Sequence, residues 1–220
     1  MYEPESVKVV LLGESGVGKT SIINQFTIKK FNPRCPSSVS AQFTSKIIDY
    51  PQFEKSIKFD IWDTVGQEKY RSLARIFYNN AKVILFVYDI TKEHSFNSLK
   101  DFWYKETLNN TDETAILGIV ANKVDLYEDQ TVDNNVGKAF AEQINAIFQT
   151  TSALNDSGIN TLFDNIAKKI IIPEYDYKNM DTQIQKDYME KAGEIKKEKN
   201  ITLEKKNSDQ INEGSKNKCC

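Results

Sequence analysis

The chain has 220 residues, with 29 Lys and Arg against 31 Asp and Glu and a formal net charge of −2. That near-balance leaves no electrostatic footprint for nucleic acid, and no apolar run reaches the ~18 residues of a membrane span. The length suits one domain plus an appendage, MYEPES does not read as a signal peptide, and the three cysteines form neither a disulfide framework nor a zinc spacing, which fits a reducing cytosol.

The first predicted strand covers 7–13 and the first helix 19–28. Between them runs Gly13-Glu14-Ser15-Gly16-Val17-Gly18-Lys19-Thr20, which satisfies GxxxxGK[ST]. A strand, a glycine-rich turn and a helix N-terminus in this order suit a phosphate. The turn aims several backbone N–H groups at one anion, and the helix adds its positive end. Lys19 can reach the β- and γ-phosphates, and Thr20 can place its hydroxyl on Mg²⁺.

Further strands are predicted at 42–50, 56–62, 83–88, 115–121 and 146–150, and helices at 69–79, 95–108, 134–144 and 158–171. This alternation predicts a doubly wound α/β sheet, with 83–88 buried on both faces as a central strand. Ser95 is the expected N-cap of the third helix, and His94 before it reads as a solvated side chain rather than a catalytic one.

The apolar strand 115–121 (AILGIVA) ends in Asn122-Lys123-Val124-Asp125, at the carboxyl edge where open α/β sheets hold their ligands. A carboxylate only accepts hydrogen bonds, so Asp125 pairs with the two adjacent donors of guanine, N1–H and the exocyclic amine. Adenine offers a ring lone pair there, and the mismatch selects by repulsion. That disfavours an ATPase or kinase.

Within the strand order lies Ile61-Trp62-Asp63-Thr64-Val65-Gly66-Gln67-Glu68, and after strand six Thr151-Ser152-Ala153-Leu154. With these the chain resembles the Ras superfamily of small GTPases, and within it the Rab family, over residues 7 to about 172. The segments IKFDIW, KYRSL (69–73), FYNNA and FVYDIT each resemble Rab-characteristic stretches, and SSVSAQF leans towards the endosomal Rab branch. The resemblance implies a P-loop small-GTPase fold with a six-stranded, mostly parallel sheet and five helices. It implies GTP or GDP with Mg²⁺ as ligands and slow hydrolysis without an activating protein. Asp63 would hold the metal through a water, Gly66 would donate its N–H to the γ-phosphate, and Gln67 would orient the attacking water beside Lys19. Ser38 stands at the switch I threonine position, 19 residues after Lys19, so the metal set is Thr20, Ser38 and Asp63. Serine keeps the hydroxyl but drops the methyl, Ser40 replaces a usual glycine, and Val65 a usual alanine. All three departures bear on how firmly the switches close. Arg34, four residues before Ser38, stands near the place of a hydrolytic arginine in Gα proteins but reads as a solvated loop residue. The expected nucleotide contacts are Ser15, Gly16, Val17, Gly18, Lys19, Thr20, Ser21, Phe31, Ser38, Gly66, Asn122, Lys123, Asp125, Ser152, Ala153 and Leu154. Phe43, Trp62 and Phe77 match an aromatic effector surface. Implied partners are an exchange factor, a GTPase-activating protein, effectors, a prenylation escort and a dissociation inhibitor. A scaffold that stays GTP-loaded is the rival reading, and Gln67 argues against it.

From Pro173 onward the composition turns polar, so a G domain is expected over 1–172 and a tail without a core of its own over 173–220. The terminal Cys219-Cys220 resembles a double-prenylation signal. One lipid binds membranes marginally, and the tail's balanced charge supplies no polybasic second signal, so two geranylgeranyl groups are expected. The resulting expectation is a monomeric switch on the cytoplasmic face of vesicle or endosomal membranes.

Overall fold

Strand β1 (Pro4–Leu12) sets the architecture by simple alternation. Its Val7, Val9 and Leu11 enter one apolar cluster and Val10 and Leu12 the other, so both faces of the sheet must be covered. The same division runs along β4 (Val83–Asp89), whose seven residues are all buried. The computed structural model describes residues 2–34, 38, 40–64, 74–108, 111 and 114–175.

Six strands form one sheet in the order β2-β3-β1-β4-β5-β6. β2 (Gln42–Tyr50) runs antiparallel to β3 (Lys55–Asp63), and the other pairings are parallel. This is the expected six-stranded, mostly parallel α/β sheet. β5 (Ile116–Asn122) and β6 (Ile147–Thr151) complete it.

Helices α1 (Lys19–Ile28) and α6 (Ile159–Ile171) cover one face. There Phe26 stacks on Phe163 at 3.6 Å, and Phe59 meets both edge-on. Aromatic pairs of this kind add about 0.5–1.5 kcal/mol each beyond burial. The other face is covered from α2 (Ala74–Tyr78), α3 (Glu93–Ser98) and α5 (Asn134–Gln143). α3 passes without a break through a π-helical segment, Leu99–Tyr104, into α4 (Lys105–Leu108). The expected helix at 95–108 is therefore one rod of three parts, and six α-helical segments stand for five predicted helices among the described residues.

Two local expectations need correction. Ser95 is not an N-cap: Lys92 holds that place, and Ser95 lies buried in the first turn. Its Oγ donates to Lys92 O at 2.7 Å and accepts from Asp89 N–H at 3.1 Å. The hydroxyl thus ties the helix to the end of β4 instead of capping it. β1 also starts at Pro4 rather than residue 7, because Pro4–Ser6 pair with Ser56–Lys58 of β3.

Candidate nucleotide site

The carboxyl ends of the parallel strands deliver the predicted motifs to one cleft of about 310 Å³. Ser15, Gly16, Gly18, Lys19, Thr20, Ser21, Phe31, Ser38, Asn122, Lys123, Asp125, Ala153 and Leu154 all line it. Val17 and Ser152 sit just behind the wall, both buried. Gly66 and Gln67, with Val65 and 69–73, lie outside the described residues, as do Cys35, Cys219 and Cys220. Arg34 is exposed and takes no part in the lining.

The phosphate loop has the conformation its glycines permit. Gly18 has φ +100 and a Cβ there would fall 2.3 Å from Asn122 Nδ2. Gly13, at φ +144, would drive a Cβ to 2.2 Å from Val87 O. Only glycine allows such turns at such close approach. Asn122 explains the close approach at Gly18: its Nδ2 donates to Val17 O at 2.8 Å, and its Oδ1 accepts from Thr151 Oγ1 at 3.0 Å. Asn122 is therefore a staple joining the phosphate loop, β5 and β6, and it also lines the cleft with a second Nδ2 hydrogen to donate.

Lys19 is buried at the start of α1, and its ammonium donates to Gly13 O at 2.8 Å and Glu14 O at 3.0 Å. A third donor remains for an anion. Burial pushes this ammonium down to about 8, against the pull of Asp63 and Glu14, and an anion beside it would raise it again.

Three oxygens converge beside Lys19. Thr20 Oγ1 lies 2.5 Å from Asp63 Oδ2 and 2.8 Å from Ser38 Oγ, and Ser38 Oγ lies 3.2 Å from the same carboxylate oxygen. The other oxygen, Asp63 Oδ1, is buried with no hydrogen-bond partner among the described residues. Burial raises the Asp63 carboxyl, opposed by Thr20, Lys19 and Ser38. Hard oxygen donors and a buried carboxylate short of compensating charge fit a small divalent cation such as Mg²⁺. Thr64 anchors the strand end by donating Oγ1 to Leu11 O at 2.5 Å.

At the opposite end, Ser152 Oγ donates to Asp125 Oδ1, which fixes the carboxylate and leaves it accepting capacity for the base edge. Lys123 adopts a left-handed φ of 66, and its Nζ pairs with Asp89 Oδ2 at 2.7 Å. Asn32, Pro33, Thr64 and Leu126 also line the cleft and were not predicted. Thr64 and Leu126 directly follow predicted residues and were within reach of the motif reading, whereas Asn32 and Pro33 carry no sequence signal beyond following Phe31.

Away from the cleft the aromatic triad is contiguous. Phe43 and Trp62, opposed across β2 and β3, have ring centroids 5.2 Å apart, and Trp62 lies 5.9 Å from Phe77. Phe43 is 53% exposed, whereas Trp62 and Phe77 are half-buried and pack against the core, so the triad runs from the core out to the surface at Phe43.

Comparison with known proteins agrees with this geometry. The Ras family model matches residues 8–172. Ras-related protein Rab-22A of Homo sapiens is 40% identical over 164 residues, covering 74% of this chain and 83% of the relative. Ras-related protein Rab11B of Nicotiana tabacum is 36% identical over 163 residues, 74% of each chain. RabJ of Dictyostelium discoideum is 36% identical over 168 residues, 76% of this chain and 64% of that one. With a glycine-rich loop, three converging oxygens and the Asp125 carboxylate gathered at one sheet edge, the chain so matched is a member of the Ras family and, within it, a Rab small GTPase.

Proposed function

We propose that this chain is a membrane-anchored Rab switch of vesicle transport, with the cleft residues in the roles their positions suggest. As a Rab GTPase it binds GTP and GDP with Mg²⁺ and hydrolyses GTP. The observation that carries the residue assignment is the cluster of Thr20, Ser38 and Asp63 oxygens beside the Lys19 ammonium. Thr20, Ser38 and Asp63 would hold the cation, which would supply positive charge to the phosphate oxygens. Lys19 adds its own charge on the transferred phosphate, and Gln67 orients the water.

Switch I, about 31–42, and switch II, 63–77, close through Ser38 and Gly66 while the γ-phosphate is present and loosen after hydrolysis. The Phe43–Trp62–Phe77 surface begins just after switch I and ends in switch II, and it suits effectors that distinguish the two states. Arg34 is exposed and outside the cleft wall, and an activating protein completes hydrolysis. Exchange factors, a prenylation escort and a dissociation inhibitor complete the cycle. Geranylgeranyl groups on Cys219 and Cys220 anchor the protein to vesicle membranes, endosomal ones in keeping with the SSVSAQF segment.

Single-turnover hydrolysis of GTP by the purified chain, alone and with a Rab-activating protein, tests this reading. Stimulation of about 10³-fold or more that Gln67→Leu abolishes is expected. A chain that stays GTP-loaded under both conditions would instead be the scaffold. Asp125→Asn should shift binding from GDP towards xanthosine diphosphate, and unchanged preference would remove Asp125 as the base reader.

A further inference from the structure

We propose that Asp89, at the end of β4, is a positioning residue for the nucleotide, holding Lys123 in the wall of the cleft and so slowing nucleotide release. The inference rests on the cleft being the nucleotide site, and no motif reading assigned Asp89 a role there.

Asp89 is 0% exposed, and a carboxylate so buried must be compensated by partners. Its Oδ1 accepts Thr91 N–H at 3.0 Å and Thr91 Oγ1 at 2.8 Å. Those two bonds suffice for a turn cap at the end of a strand. Oδ2 does something different: it reaches across to the neighbouring strand's exit and pairs with Lys123 Nζ at 2.7 Å. β4 and β5 run in parallel with Asp89 opposite Asn122, so Lys123 is the first residue beyond the sheet on the β5 side.

Lys123 needs such a tether. Its side chain is 30% exposed, and an ammonium on a flexible stem at a cleft mouth would otherwise turn to water. Its left-handed backbone is one that a lysine rarely adopts, and it sits between the Asn122 staple and the 3₁₀ turn Val124–Asp129 that carries Asp125. Drawing the ammonium back to Asp89 lays the methylene stem along the wall shared with Phe31, Leu126, Ala153 and Leu154. The stem has no donor or acceptor, so it offers the base a surface without reading its edge. Asp125 does that.

The two roles separate experimentally. Release of fluorescently labelled GDP should be about tenfold faster in Asp89→Asn, the loss of one charge-assisted hydrogen bond. Inosine diphosphate, which lacks the exocyclic amine, should leave faster by the same factor, whereas Asp125→Asn changes the ratio between the two nucleotides. In a Lys123→Met background, Asp89→Asn should add less than about twofold, because the tethered group is already gone. A full further tenfold in that background would place the effect in the fold of β4 and overturn the proposal, as would unchanged release in Asp89→Asn. If Asp89→Asn does not fold, the near-isosteric Thr91→Val loosens the same carboxylate and should speed release about threefold with Lys123 present and not in Lys123→Met. Equal acceleration in both backgrounds would again overturn it. Wild-type protein that holds no GDP would sink the cleft assignment itself, a result distinct from any of these.

Discussion

Ser38 shows how much a single side chain decides at this site. Its hydroxyl already lies among the Thr20 and Asp63 oxygens, so the departure from threonine costs no ligand. What it lacks is the methyl that fixes χ1 in a β-branched residue. Ordering the free rotor takes roughly 0.5 kcal/mol. Ser38→Thr should therefore slow release of a non-hydrolysable GTP analogue about two- to threefold and leave GDP release unchanged. Ser38→Ala removes the oxygen and should speed analogue release tenfold or more, and equal behaviour of the two variants would show that Ser38 does not hold the cation. Asp89 gives a second prediction at this scale. Burial raises its carboxyl, but the Lys123 ammonium and the Thr91 bonds outweigh it and leave it below the ordinary carboxylate range. The folded chain thus binds this proton less readily than the unfolded one. The contribution is present above the unfolded value, about 4, and is lost as pH falls below it through the folded value. The stability gap between wild type and Asp89→Asn, measured by urea unfolding, should be constant near neutrality and shrink below about pH 4. A gap that persists into that acid range would mean the ion pair is not what separates the two proteins.

Between elements, the cleft has two lips. Phe31, Asn32 and Pro33 follow α1, and Ala153 and Leu154 precede α6. Lys29, the left-handed C-cap of α1, joins them by pairing with Asp156 at 2.7 Å and donating to Asn160 Oδ1 at 3.0 Å. The pair is largely exposed, worth at most about 1 kcal/mol in stability. Its position gives it a larger part in kinetics. Lys29→Ala should leave the melting temperature nearly unchanged but speed GDP release about two- to fivefold at low salt, with the difference closing in high salt. Identical release at low salt would show that the lips move independently. None of this was visible in the chain, because Lys29 and Asp156 are distant in sequence and neither belongs to a motif. The same holds for the π segment at Leu99–Tyr104, where fully buried Leu99 and Trp103 depend on tertiary packing and not on local periodicity. The strands were legible because two-sided burial writes itself as runs such as VILFVYD. The phosphate loop was legible because glycine alone tolerates its turns. Ser95 misled because serine before an apolar residue signals a cap, and only the contact with Asp89 turned it inward.

For the whole molecule, the remaining question is how the packed domain and the polar tail with its terminal cysteines divide the work. Composition turns polar at Pro173, yet the packing continues to Tyr175. Ile172 and Tyr175 are both 3% exposed, Tyr175 OH donates to Asn165 at 3.1 Å, and Lys169 Nζ donates to Pro173 O at 2.5 Å and Tyr175 O at 3.2 Å. A chain ending at 172 loses the buried tyrosine and leaves Asn165 without that donor, a cost of about 2–3 kcal/mol. A chain ending at 175 keeps both. We expect 1–175 to match the full chain in GDP affinity and urea midpoint, and 1–172 to unfold at clearly lower urea with an unchanged slope. Lowered stability in 1–175 would mean that residues beyond 175 belong to the folded unit. In cells, 1–175 should be cytosolic, and so should full-length Cys219→Ser and Cys220→Ser, since a single lipid gives only marginal membrane binding. A single-cysteine variant that stays on membranes would show that something besides the second lipid holds the protein there. The separation matters for function because, with both cysteines lipidated, the polar residues after 175 would link the packed domain to a membrane. The aromatic surface, exposed at Phe43, belongs to the packed domain and would stay available to partners in either chain.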